Sequence, residues 1–203
     1  MTAKLVATLS LVVAIGCSTP ALAAGSAEAG QAKSATCMAC HGMDGNSPSP
    51  EWPNLAGQHE SYIVGQLQAF KAGTRQNDLM SPMAMILSDE DMLDLAAYFS
   101  SQAVRGGETD PSRLALGQRV YRSGNVAEGV VACAGCHGPG GKGNPLAGYA
   151  SIHGQHAAYV AAQLRAYRSG QRDTDPNQMM RNVAAQLSDE EIDAVASYVQ
   201  GLR

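Results

Sequence analysis

Two short runs of this 203-residue chain place residues that could do chemistry side by side: Cys37-Met38-Ala39-Cys40-His41-Gly42 and Cys133-Ala134-Gly135-Cys136-His137-Gly138. Two thiols separated by two residues, with an imidazole directly after, fit the attachment pattern of a c-type haem. The thiols would form thioethers with the two vinyl groups of one porphyrin, and the histidine would fall beneath the iron as an axial ligand. Three other chemistries use such cysteines. A four-thiolate zinc site would leave both histidines incidental. A thioredoxin-like redox pair needs a βαβ setting, and no strand pattern supplies one. Disulfides across two residues would give little reach. Recurrence of the whole pattern, histidine included, favours two covalently bound haem c groups.

The second axial ligand is sought by register. Downstream of its motif, the second half offers only Met179 and Met180, whereas the first offers Met80, Met83, Met85 and Met92. Counting back from Leu87 and Leu187 aligns Met80 with Met180 and Leu79 with Met179, so only the former pair is methionine in both halves. The frame Asn77-x-x-Met80 repeats as Asn177-x-x-Met180. The expected iron ligands are therefore His41 with Met80 and His137 with Met180. His59 and His156 also correspond, so bis-histidine ligation is the first alternative and an open position the second. His153 has no counterpart and is not expected to bind iron. The carbonyl that orients each ligating imidazole is sought on the following loop, near Pro48 and Pro145.

These residues need elements to hold them, and the elements also come twice. Gly57-Gln58-His59, Tyr62, Gln66-Leu67, Phe70, Gly73 and Arg75 return as Gly154-Gln155-His156, Tyr159, Gln163-Leu164, Tyr167, Gly170 and Arg172. Leu87-Ser88-Asp89-Glu90 returns as Leu187-Ser188-Asp189-Glu190. The offset grows from 96 at the cysteines to 100 at the last motif, so two copies of one module differ by small loop insertions. Each module reads as all-α. A first helix is expected around Ala29–Thr36 and Ser112–Tyr121. A second follows His59 and His156, with Ile63, Leu67 and Phe70 on one face, and stops at Gly73 and Gly170. The last opens with a capping box at Ser88 or Ser188. Gly30 and Gly117 are suited to a close approach of the last helix near Tyr98 and Tyr198. The polar Arg105–Pro111 stretch, rich in Gly, reads as a connection.

The N-terminus reads as an address. One lysine, an apolar run Leu5–Ile15 and a small-residue end at Ala21-Leu22-Ala23 fit a secretory signal peptide over residues 1–23. The run is too short to span a bilayer, which takes about 20 apolar residues. A rival is lipid processing at Cys17. The expected organisation is thus a signal peptide at 1–23, a first domain at 24–104, a linker at 105–112 and a second domain at 113–203. The formal charge of −4 supplies no large cationic surface and argues against nucleic-acid binding. That charge is uneven. Residues 24–104 carry three basic and nine acidic side chains, and residues 113–203 carry nine and seven. Aromatics make up only 5% of the chain, too few to fill two small cores unaided.

Taken in order, the signal peptide, the two Cys-x-x-Cys-His-Gly modules, the paired Gly-Gln elements, the two Asn-x-x-Met segments and the two Leu-Ser-Asp-Glu helices resemble the cytochrome c4 family. The resemblance covers essentially the whole chain after the signal peptide. It implies two tandem class I cytochrome c domains, each wrapped around one covalent haem with His/Met ligation, packed on each other about a pseudo-twofold axis. It also implies a periplasmic electron carrier, not an enzyme, loosely associated with the outer face of the inner membrane. Such a carrier would pass electrons from a bc1 complex or another donor to a terminal oxidase. Cytochrome subunits of flavocytochrome-type sulfide dehydrogenases share the two-domain layout and form the alternative, with a di-haem peroxidase behind them.

Overall fold

The structure, a computed structural model, describes residues 24–203; the expected signal peptide and Cys17 lie outside the described residues. The first half contains α1 (Ala27–Lys33), α2 (Ala35–His41), α3 (Glu60–Lys71), α4 (Met80–Met85) and α5 (Asp89–Ser100). The second repeats the order with α6 (Leu114–Ser123), α7 (Ala134–His137), α8 (Ala157–Ser169), α9 (Met179–Ala185) and α10 (Asp189–Gly201). Strand-like pairing among the described residues is confined to isolated bridges, Asn125 with Val130 and Asn144 with Tyr149. The all-α expectation holds. No helix among these residues is long and apolar enough to cross a membrane.

The sequence places one helix before the first cysteine pair, and the structure divides that stretch. At Ser34 the hydroxyl turns back to the Gln31 carbonyl at 2.8 Å, ending α1 before α2 begins. In each half the first helix then crosses the last, α1 on α5 and α6 on α10. Glycine makes the crossing possible. A Cβ on Gly30 would lie 2.0 Å from the Asp94 carbonyl oxygen, and one on Gly117 would lie 2.2 Å from that of Ala194. Only a residue without a side chain lets these backbones meet. The last helix also packs on α3 or α8 and contributes more residues to each core than any other element. Leu95, Ala96 and Phe99 join Ile63 in one half; Ile192, Val195 and Val199 join Val120 and Tyr121 in the other. Tilted aromatic pairs, Tyr98–Phe99 and Tyr121–Tyr198, stand in for larger aromatic clusters.

Both capping boxes form as expected. Ser88 Oγ accepts from Asp91 N at 3.1 Å while the Asp91 carboxylate accepts from Ser88 N at 2.9 Å, and Ser188 with Glu191 does the same. Gly170 closes α8 in the left-handed conformation; in the first half Ala72 caps α3 and the left-handed Gly73 follows. The segment between α5 and α6 is strapped to the second half by Gly107 N to Gln200 O (3.0 Å), Gln200 Nε2 to Glu108 O (2.9 Å) and Asp110 N to Ser197 Oγ (2.9 Å).

The halves meet through reciprocal bonds. Asn54 N donates to Gln155 Oε1 at 2.8 Å, and Gln155 Nε2 returns a bond to Asn54 O at 2.9 Å. Across the interface Ser151 N donates to Gln58 Oε1 at 2.9 Å, and Gln58 Nε2 donates to Ser151 O at 2.7 Å. Gln58 and Gln155 correspond in the repeat, as do Asn54 and Ser151. Residue i meeting j while the equivalent of j meets the equivalent of i is the signature of a twofold axis. The glycines of the paired Gly-Gln elements belong to the same joint. Cβ atoms on Gly57 and Gly154 would each come within 2.6 Å of a Val104 methyl, and both glycines have positive φ (64° and 66°).

Candidate functional site

In each half one helical turn gathers the attachment residues. Cys37, Cys40 and His41 lie on α2, with His41 its last residue; Cys133 caps α7, which carries Cys136 and ends at His137. Residues at i, i+3 and i+4 of a helix share a face, so this spacing turns both thiols and the imidazole the same way. Gly42 and Gly138 follow at φ 78° and release the chain into the loop.

That loop orients the imidazole. His41 Nδ1 donates to Pro53 O at 2.8 Å, and His137 Nδ1 donates to Ala150 O at 2.8 Å. A carbonyl oxygen only accepts, so the proton sits on Nδ1 and the lone pair on Nε2. Burial holds both imidazoles below their usual pKa, which keeps them neutral. A neutral imidazole with Nδ1 bonded to a carbonyl is oriented for an Nε2 bond to a metal. The expected segments supply these carbonyls, but not at Pro48 and Pro145: the acceptors are Pro53 and Ala150, five residues further on in each case. Tyrosine hydroxyls brace the start of each loop, Tyr98 on Met43 O at 2.8 Å and Tyr121 on Gly138 O at 2.6 Å.

Met80 is the first residue of α4 and Met180 the second of α9, both half-buried. These helices pack on α3 and α8, and not on the helices that carry the histidines. That separation would let His41 with Met80, and His137 with Met180, hold a haem between them. The sequence frame around the methionines repeats more closely than its geometry does. Asn77 Oδ1 accepts from Leu79 N (3.0 Å) and Met80 N (2.9 Å), starting α4. Asn177 instead adopts φ 54°, and Asp175 starts α9 by accepting from Arg181 N at 3.0 Å and Arg181 Nε at 2.7 Å.

The rival chemistries fare worse. The two cysteine pairs lie in separate halves, and among the described residues no three His, Cys, Asp or Glu side chains converge on one metal position. Neither cysteine pair is joined by a disulfide among the described residues. Burial pushes the Cys133 thiol up to about 11 and raises that of Cys37, opposite to the shift that activates a redox cysteine. His156 Nε2 bonds Ser47 O of the other half at 3.0 Å, so that nitrogen is committed to the interface. His153 Nδ1 lies 2.9 Å from Ser151 Oγ. The donor set therefore fits two covalent haems. Sequence reasoning matched Tyr62, Gln66 and Arg75 with Tyr159, Gln163 and Arg172 but gave them no role; the structure gathers all six between the halves. The recurrence of the same polar residues at the same positions in and just after α3 and α8 was the available signal.

Comparison with known proteins agrees with this geometry. Residues 27–103 and 114–203 each match the family described as Cytochrome c. Cytochrome c4 of Stutzerimonas stutzeri is 49% identical over 204 residues, covering 96% of this chain and 97% of that protein. The crystal structure of reduced recombinant cytochrome c4 from Pseudomonas stutzeri superposes with a TM-score of 0.85 at 50% identity, over 89% of this chain and 100% of that one. A thiosulfate dehydrogenase electron acceptor from Thiomonas intermedia (strain K12) is 37% identical over 171 residues, 82% of this chain and 78% of that protein.

Proposed function

The chain belongs to the cytochrome c family as a two-domain, di-haem cytochrome c4, and from that premise we propose that it relays electrons in the periplasm from a respiratory donor, such as a bc1 complex, to a terminal oxidase. Cys37 and Cys40 would hold one haem and Cys133 and Cys136 the other, with His41/Met80 and His137/Met180 as the axial pairs. The haem iron supplies the one-electron chemistry. The chain's own residues keep that chemistry simple. Each imidazole is locked by a backbone carbonyl, so its bonding geometry is the same before and after electron uptake. Met80 and Met180, as second ligands to the haems held by His41 and His137, would raise the potential and leave no position for substrate. The observation that carries this reading is the repeated Cys-x-x-Cys-His turn with Nδ1 committed to Pro53 or Ala150 and Nε2 free.

The domain limits we propose are 24–104 and 113–203, joined by 105–112, with residues 1–23 removed on export. The strap bonds from Gly107, Glu108 and Asp110 to α10 support a linker that stays with the second domain. The uneven charge supports an oriented approach to a partner, the first domain being acidic and the second slightly basic. Loose attachment to the outer face of the inner membrane would follow from docking on membrane-bound partners. A second reading is favoured by the thiosulfate dehydrogenase electron acceptor among the relatives. On that reading a dehydrogenase, of thiosulfate or of sulfide, is the donor. Stopped-flow reduction of the oxidised protein by each candidate donor separates the two: rapid reduction by bc1 complex supports the first, and reduction only by a dehydrogenase replaces it with the second.

A further inference from the structure

Between α3 and α8 two arginines keep unusual company. Arg75 Nη1 donates to Gln66 Oε1 of its own half at 2.6 Å, while Nη2 crosses to Tyr159 Oη at 3.1 Å and Gln163 Oε1 at 2.9 Å. Arg172 reciprocates: Nη1 to Gln163 Oε1 at 2.8 Å, and Nη2 across to Tyr62 Oη and Gln66 Oε1, both at 2.9 Å. Each guanidinium also lies 4.6 Å over an aromatic ring of its own half, Phe70 or Tyr167. Every acceptor is neutral, and among the described residues neither arginine has a carboxylate partner. Arg172 is only 6% exposed, and its Nε is buried without any partner.

A buried cation facing a half-buried one, with dipoles alone for company, is repelled by it, and taking the Arg172 guanidinium from water costs several kcal/mol that a hydrogen-bonded amide does not return. Such a site calls for anions. On the proposed ligation the haems would lie near this joint: Arg75 precedes Met80 by five residues, and α3 and α8 are the helices on which the methionine helices pack. The anionic groups a haem brings are its two propionates.

We propose that Arg75 and Arg172 form one cationic clamp shared by the propionates of both haems, through which each arginine raises the reduction potential of both. The inference rests on the di-haem carrier reading above. Its physical basis is charge: ferric haem carries one more positive charge than ferrous haem, so a nearby cation in a poorly solvated joint disfavours oxidation. Because each guanidinium bonds into both halves, its field reaches both sites. The sequence repeat by itself suggests the narrower arrangement, one arginine per haem.

The test uses the full haem-loaded protein and the variants Arg75→Gln, Arg172→Gln, their double, and Arg172→Lys. Midpoint potentials come from spectroelectrochemistry, and proton NMR of the ferric haem methyls assigns each step to a haem. Each single Gln variant should shift both haems toward oxidation, by roughly three- to tenfold in the redox equilibrium, tenfold being ~59 mV for one electron. Arg172→Lys keeps the charge but not the fork, and should restore most of the potential even where the melting temperature stays low. Unchanged potentials with only a lowered melting temperature would make the arginines structural bolts and overturn the proposal. A shift confined to the haem of the substituted half would overturn the sharing. The unmodified protein is the control for the carrier reading: failure to titrate as two haems there would sink that reading and not the clamp alone.

Discussion

Single residues decide what each iron position can do. A histidine whose Nδ1 is bonded to Pro53 or Ala150 presents Nε2 in one orientation, and a methionine sulfur as the proposed second ligand would raise the potential. Met180→Ala should remove the near-infrared sulfur-to-iron band from one ferric haem, leave the other unchanged, and shift the altered haem's redox equilibrium by more than about tenfold. Retention of both bands would move the ligand to another residue. The attachment turns stand out in the sequence because covalent chemistry fixes residue type and spacing closely, and the proposed methionine ligands rest on the register of the repeat. The orienting carbonyls were legible only as a region. Any residue offers a backbone oxygen, so nothing in the side chains distinguishes Pro53 from Pro48 or Ala150 from Pro145.

At the scale of elements, the crossing of first and last helix holds each half together. Gly117→Ala would press a methyl into the Ala194 carbonyl at 2.2 Å, and should cost about 2–3 kcal/mol, read as a lowered melting temperature of the second half. The first half ties these helices through a buried carboxylate, where the second has the more exposed and looser Arg113–Asp193 pair at 3.6 Å. The buried Asp94 accepts from Lys33 Nζ at 2.6 Å and Ser26 N at 2.7 Å, while Ala194 occupies its place in α10. The Lys33 bond, and then the Ser26 N–H, hold the Asp94 carboxyl below the usual carboxylate range. Folding lowers this pKa, so its stabilisation is complete above the ordinary value of about 3.9 and fades as pH falls through the folded value. Thermal melts at descending pH should show α1 and the first half loosening in acid, and Asp94→Asn should flatten that dependence. A variant that keeps the unmodified acid profile would remove Asp94 from this role. The short helices α4 and α9, six and seven residues long, went unpredicted, while the longer helices α3, α5, α6, α8 and α10, the two capping boxes and the role of Gly30 and Gly117 were readable as periodicity and repeat. The break at Ser34 was not, because one hydroxyl turning back to Gln31 decides it.

The whole molecule is two modules made to face one another. Gln58 and Gln155 each bond the other half's backbone, and Gly57 and Gly154 leave room for Val104 between them. Gln155→Ala would strand the buried N–H and carbonyl of Asn54 and should cost about 2–3 kcal/mol, with small-angle scattering showing a more open pair of domains. The sequence displayed these residues as a repeat without saying what they touch, since a repeat marks what both halves share and not where they join. Charge shows the same limit. Arg165 and Arg168 are already paired with Asp189, and Arg165 also with Asp193, so they are poor candidates for steering a partner. Arg119 and Lys142 are exposed and join no ion pair among the described residues. Reversing these two should slow reduction by an acidic partner at low ionic strength, and the effect should fade as salt is raised. The shortage of aromatics has its answer at this scale as well: a covalent porphyrin supplies each small core with a large flat apolar body. The central claim is two Met/His-ligated haems on one chain, and a redox titration followed by visible and near-infrared absorption tests it directly. Two Met/His-ligated haems should give two one-electron steps per chain and a sulfur-to-iron band for each ferric haem; one haem per chain, or a fully oxidised protein lacking the band at either site, would contradict that ligation.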